Sequence, residues 1–127
     1  MSEVKDDAGF SLLGILIAVM IIGIMATVAV PRFNSVIASA NNAKVQADLT
    51  TLDTAIAIYQ TEKGTQPANI SDLSSYVTDL DNLKPPQGTC NLRDGTTITV
   101  SDQSYALSTG AEKRATCAGH TAGDFGK

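Results

Sequence analysis

Between Asp7 and Arg32 the chain carries no charged residue, and Phe10 to Val30 reads FSLLGILIAVMIIGIMATVAV before Pro31 ends the run. At about 1.5 Å of rise per residue, a helix over these 21 residues spans roughly 30 Å, the thickness of a bilayer's hydrocarbon core. Twelve of the residues are Leu, Ile, Val or Phe. Each favours insertion by about 0.3 to 0.6 kcal/mol, so the segment prefers lipid by roughly 5 kcal/mol before its weakly polar residues are counted. Ser11, Gly14, Gly23 and Thr27 do not cancel that preference.

A secretory signal has a basic start, an apolar centre of about 7 to 15 residues and a small-residue cleavage site after it. Here the apolar run is longer, and the small residues Ala8-Gly9 precede it. From Gly9 to Pro31, GFSLLGILIAVMIIGIMATVAVP resembles the start of type IV pilins and of the related pseudopilins of type II secretion. The resemblance implies cleavage after Gly9 by a prepilin peptidase and N-methylation of the new terminal residue, Phe10. It also implies a pilin-like α+β fold, a long N-terminal helix packed by its C-terminal half against a small antiparallel sheet. Two departures stand out. Gly14 occupies the fifth place of the mature chain, where the family carries a Glu that is thought to pair with a neighbouring subunit's amino terminus. The leader MSEVKDDAG holds three acidic residues against Lys5, where family leaders are basic. A carboxylate in lipid costs several kcal/mol unless paired, so it attracts a cation strongly. Gly14 brings neither penalty nor attraction, and as a small residue it lets helices pack closely in lipid.

Removing residues 1–9 and the apolar helix leaves one small domain. The mature chain has ten acidic against eight basic side chains and no Trp. A nucleic-acid binder would normally show a basic face, so composition argues against that class. Cys90 and Cys117 fall in the part that the apolar segment places outside the cytoplasm, where disulfides persist, and we expect them to pair. With His120 they make a poor metal set, because a structural zinc site generally takes four ligands. The resemblance adds that fimbrial pilins often close a carboxy-terminal disulfide loop, whereas major secretion pseudopilins often hold calcium there.

Residues 32–63 lack Pro and Gly and continue the helix past Pro31, whose missing N–H is expected to kink or loosen it. Val45, Leu49, Leu52, Ile56 and Tyr59 form one apolar stripe, with Asn41, Asn42, Lys44, Gln46, Asp48 and Asp53 among the residues on the other sides. Phe33, Ile37 and Ala40 lie on a rotated face that suits contact with other subunits. Gly64 reads as a left-handed cap. Within 64–95, a variable loop, Ser71 to Val77 reads as a short helix. From 96 to 127 comes the sheet and disulfide region: Thr96–Val100 pairs with Tyr105–Ser108 through the link Ser101–Ser104, Lys113–Ala118 makes a third strand, and the tail from Gly119 is irregular. Asp79-Leu80-Asp81-Asn82 lacks the Gly and further acids of a calcium loop and reads as a solvated turn. His120 reads as a solvated side chain, and Lys113-Arg114 is balanced by Glu112 and Asp124. No catalytic constellation is present and no cofactor is implied.

These readings point to a structural filament subunit, not an enzyme. The expected domains are a leader (1–9), a membrane and filament-core helix (10–31) and a globular domain (32–127). Gly9 and Phe10 serve processing. Gly14, Pro31, Phe33 and Ile37 serve assembly. The expected partners are further copies of the chain, the prepilin peptidase, and the inner-membrane machinery of a pilus or type II secretion system. The subunit is held in the inner membrane before assembly and in a surface or periplasmic filament afterwards. The alternative is a monomeric, membrane-anchored extracytoplasmic binding module, or a minor or priming pilin that does not polymerise.

Overall fold

The computed structural model describes residues 2–101 and 103–126, with side chains from Gly9 onward. Helix α1 runs from Ser2 to Lys63 and contains Pro31. The chain divides into two compact units, one up to Val36 and one from Ile37 onward.

In the first unit, the apolar side chains of α1 are uncovered among the described residues. Every large apolar side chain from Phe10 to Val36 is exposed, Phe10 at 74% and Ile24 at 65%. Among the described residues this is the one helix long and apolar enough to cross a membrane. The hydroxyl of Thr27 donates to the Ile24 carbonyl at 2.6 Å, so a polar group in the run is satisfied within its own helix.

The second unit is organised by the continuing helix. Val45, Leu49 and Leu52 are fully buried and Ile56 nearly so, as the spacing predicts, with Tyr59 half-buried beside them. The helix stops at Gly64, whose φ of +71° lets its N–H reach the Gln60 carbonyl at 2.9 Å. The short helix expected at Ser71–Val77 is a 3-10 turn over Ile70–Ser75, entered through Asn69 and closed by the Asp72 carboxylate on the Asn69 N–H at 3.0 Å.

Strand β1 (Gly88–Asn91) pairs antiparallel with β2 (Thr97–Val100), with Cys90 opposite Ile98. Strand β3 (Ala106–Leu107) pairs antiparallel with β4 (Ala115–Thr116) in a separate two-stranded ladder. The fold is thus the expected α+β arrangement of a long helix and small antiparallel sheet, but the strand pairing corrects the sequence reading. Thr97–Val100 takes its partner from upstream rather than from Tyr105–Ser108. The cause is the turn Arg93-Asp94-Gly95. The Asp94 carboxylate accepts the Thr96 N–H at 2.8 Å, Gly95 sits at φ +91°, and Leu92 N–H closes on the Thr96 carbonyl at 2.8 Å. Asp-Gly is a strong hairpin signal, and here it outweighs the longer Ser101–Ser104 link.

The tail is also more ordered than expected. Phe125 is fully buried and bridges to Leu92, Gly126 N–H donates to the Asn91 carbonyl at 3.0 Å, and Gln46 Nε2 donates to the Phe125 carbonyl at 2.7 Å. Several residues assigned to the helix's outer sides prove to be fasteners. Asn42, buried, accepts the Asn91 N–H on Oδ1 at 2.8 Å, and Asn41 Nδ2 donates to the Thr89 carbonyl at 2.9 Å. Asp53 accepts the Ala115 N–H at 2.8 Å, and Asp48 accepts the Tyr105 hydroxyl at 2.5 Å. The apolar stripe thus supplies burial while the polar residues beside it fix where each strand sits.

Phe125→Ala should cost about 3 to 5 kcal/mol, the range for truncating a buried aromatic. Denaturant unfolding of the full chain in detergent checks this. A loss below about 1 kcal/mol would mean that the tail does not seal the core.

Candidate processing and assembly segment

Gly9 and Phe10 lie within α1 and are exposed. Gly14 follows Phe10 by one helical turn on the same face. A Cβ built at Gly14 meets nothing within 4 Å, so the chain's own packing does not require a glycine there. Glycine is among the poorest helix formers, by about 1 kcal/mol against Ala, and Gly9 therefore weakens α1 beside the expected scissile bond. Phe33 and Ile37 are exposed at 66% and 51%, whereas Ala38 beside them is buried at 5%. Helix α1 thus carries one covered face from Ala38 onward and leaves the rotated face of Phe33, Ile37 and Ala40 open.

Cys90 and Cys117 belong to one buried cluster with Leu49, Tyr105 and Phe125, and both are free thiols in this structure. Burial pushes the Cys90 thiol above its ordinary value. Burial, with Cys90 and then Asp48 nearby, pushes Cys117 up to about 11. Tyr105 is raised too, first by burial and then by its hydrogen bond to Asp48, so its hydroxyl remains the donor. Cys117 begins a tight turn in which it and His120 exchange main-chain hydrogen bonds at 2.9 Å, through Ala118 at φ +53° and Gly119 at φ +82°.

The remaining candidates are engaged in structural contacts. His120, read as solvated, packs edge-on against Phe125 with ring centroids 6.1 Å apart, and its Nδ1 lies 3.8 Å from the Asp124 carboxylate. Lys113 Nζ donates to the Ser108 carbonyl at 3.1 Å and Arg114 pairs with Asp53 at 3.4 Å, so both basic residues have partners within the domain. Residues Leu80–Asn82 form a 3-10 turn behind Asp79, which holds φ +54°. Among the described residues no three His, Cys, Asp or Glu side chains are grouped to hold a metal. A half-open cleft of about 150 Å³ between Leu52, Ile70, Leu80, Leu83 and Tyr105 has an apolar floor, with Asp81 and Lys84 among its lining residues.

The prokaryotic N-terminal methylation motif matches residues 4–30. The type II secretion system core protein G of Vibrio cholerae serotype O1 is 28% identical over 95 residues, which is 75% of this chain and 62% of that protein. The protein of the same name from Klebsiella michiganensis is 29% identical over 74 residues, 58% of this chain and 52% of that one. The matched stretches thus cover less than two thirds of these relatives. No solved structure matches the chain. The motif match and the two relatives support the pilin and pseudopilin family.

The raised thiol value gives a pH prediction. Below about pH 9 Cys117 is protonated whether the chain is folded or not. From there to about pH 11 the unfolded chain sheds that proton while the fold retains it, so stability of the reduced protein falls through this window. The denaturation midpoint at pH 10 should lie below that at pH 8, and Cys117→Ser should lessen the fall, leaving the parts due to Cys90 and Tyr105. An unchanged midpoint would contradict the burial argument.

Proposed function

We propose that the chain is a structural subunit of a pseudopilus-like or type IV pilus filament, processed after Gly9 and assembled through its apolar N-terminal helix. The observation that carries this reading is the Gly9–Pro31 motif on a helix whose apolar side chains are uncovered by the rest of the chain. An exposed apolar surface of this extent needs either lipid or other helices around it. The subunit is stored in the inner membrane with its domain outside. Cleavage after Gly9 removes Lys5, Glu3, Asp6 and Asp7, charges that would be costly to draw through the bilayer, and so frees the helix for extraction. In the filament, helices of successive copies bury one another instead of lipid.

Pro31 leaves one main-chain carbonyl of α1 without its helical partner, so the helix yields there during assembly. Phe33 and Ile37 extend the helix contact beyond the membrane span. The partners are other copies of the chain, a prepilin peptidase and the secretion or pilus assembly machinery of the inner membrane. The role is mechanical rather than enzymatic.

Outside the cytoplasm Cys90 and Cys117 become a disulfide. Two thiols lose two hydrogens to a disulfide-bearing oxidant, which is reduced to its dithiol. Closing a loop of about 27 residues adds about 3.5 kcal/mol in the chain-entropy model. Because both thiols are buried and hard to ionise in the finished fold, the bond forms while the domain is still folding.

A second reading rests on Gly14. Without the Glu there is no carboxylate to draw the amino terminus of a neighbour, and the chain then acts as a minor or priming subunit or as an anchored module. Two substitutions test these readings in cells. Gly9→Leu should leave the precursor uncut and abolish filaments seen by electron microscopy, while the membrane-bound level holds. Abundant filaments from this variant would overturn the filament reading. A Cβ added at Gly14, the first atom of the Gly14→Glu side chain, meets nothing within 4 Å. Higher filament yield from Gly14→Glu would favour the minor-subunit reading, and unchanged yield would mark Gly14 as native to the assembly.

A further inference from the structure

We propose that the tail from Gly119 to Gly126 is a strap over the Cys90 and Cys117 pair, and that an oxidant reaches the two thiols only while the strap is released. Its use in the cell rests on the disulfide reading above.

Both thiols are fully buried in the cluster that also holds Leu49 and Phe125. Leu49 belongs to α1 and Cys90 to the β1–β2 ladder, so these parts of the cover are built from repeating main-chain bonds. The tail is held differently. Ala118 at φ +53° and Gly119 at φ +82° turn the chain from Cys117 out into it. It returns against β1 at a single bridge, Leu92 to Phe125, where the Arg93 N–H donates to the Asp124 carbonyl at 2.9 Å and the Gly126 N–H to the Asn91 carbonyl at 3.0 Å. The Phe125 carbonyl is gripped from outside the tail, by Gln46 Nε2 at 2.7 Å and Arg93 Nε at 3.2 Å. Cys90 and Leu92 lie two residues apart and so on one face, the buried one. Phe125 stands opposite Leu92 and therefore diagonally beside Cys90, while Cys117 sits at the root of the tail.

A segment fastened by an isolated bridge opens more readily than a helix or a continuing ladder, because fewer main-chain bonds must break together. Its release draws Phe125 out of the cluster and uncovers Cys90 and Cys117, while α1 and both ladders stay formed. Cover and chemistry act together here. Burial raises both thiols above their ordinary values, so little thiolate forms until the strap lifts. With the strap off, one thiolate attacks a sulfur of a small disulfide such as oxidised glutathione, forming a mixed disulfide and releasing one reduced thiol. The second thiolate then displaces the other, which leaves the protein disulfide and two reduced thiols in all. Docking of the strap ends this exchange, so a chain that docks while reduced keeps its thiols even among oxidants.

Gly126 supplies a lever on the strap that leaves the core untouched. Its φ is +104°, and a Cβ added there meets Gln46 Nε2 at 3.1 Å, so Gly126→Ala strains the strap and crowds the amide that grips it. Gly64→Ala is the control, because its φ of +71° is also left-handed but a Cβ there meets nothing within 4 Å and the position lies outside the strap. The reduced full-length chain in detergent is mixed with iodoacetamide at several urea concentrations below its unfolding transition. Mass spectrometry follows the labelling of Cys90 and Cys117, its only cysteines. Opening of the strap exposes little surface, so the wild-type rate should hardly change with urea; Gly126→Ala should label about tenfold faster, and Gly64→Ala at the wild-type rate. Rates that climb with urea along the slope of global unfolding, or equal rates for the two glycine variants, would overturn the strap. Oxidised glutathione then tests the disulfide reading separately: a Gly126→Ala chain that labels fast yet yields only glutathione adducts would remove the pairing of Cys90 with Cys117 and leave the strap.

Discussion

Everything in this chain depends on one unmet burial. From Phe10 to Val36 the helix exposes its large apolar side chains, and among the described residues nothing covers them. At about 25 cal/mol per Å² of apolar surface, a helix of this kind is driven strongly out of water. Lipid and neighbouring helices are the two environments that satisfy it, and a subunit that moves between them needs no other chemistry to assemble.

The domain from Ile37 onward solves a separate problem, which is to form a core with few residues. Val45, Leu49 and Leu52 supply the burial, but a helix stripe alone does not fix where short strands lie. Here the fixing is done by carboxylates and amides flanking the stripe. Asn41 and Asn42 hold β1, Asp53 holds β4, and Asp48 holds the Tyr105 ring that precedes β3. Each uses a helix side chain to satisfy a group that would otherwise be unpaired, and an unmet buried donor costs about 1 to 3 kcal/mol. Position is thereby specified by polar atoms and stability by apolar ones.

That division explains what could be read from the sequence. The apolar run, the Val45–Tyr59 stripe and the Gly64 cap were legible because each rests on local periodicity or a single backbone requirement. The α+β class followed from them together with the alternation at Thr96–Val100 and the pilin resemblance. The fasteners were not legible, since Asn42 or Asp53 on the flank of an amphipathic helix looks like any solvated residue until its partner, many positions away, is known. The strand pairing was misassigned although its signal, Asp94-Gly95, was present, because Tyr105–Ser108 offered a competing partner. Phe125 was overlooked because one aromatic between Gly123 and Gly126 has no periodicity to mark it. In the processing segment Gly9, Phe10 and Gly14 were found through motif resemblance, and their environment in α1 adds only that each is unhindered.

Whether this chain is cut and exported as a filament subunit is decided most directly by intact-mass analysis and amino-terminal sequencing of the protein sheared from its native cells. The account predicts a chain beginning at methylated Phe10, two hydrogens lighter than its dithiol form because Cys90 and Cys117 are joined. Recovery of only uncut chains, confined to the membrane fraction, would contradict it.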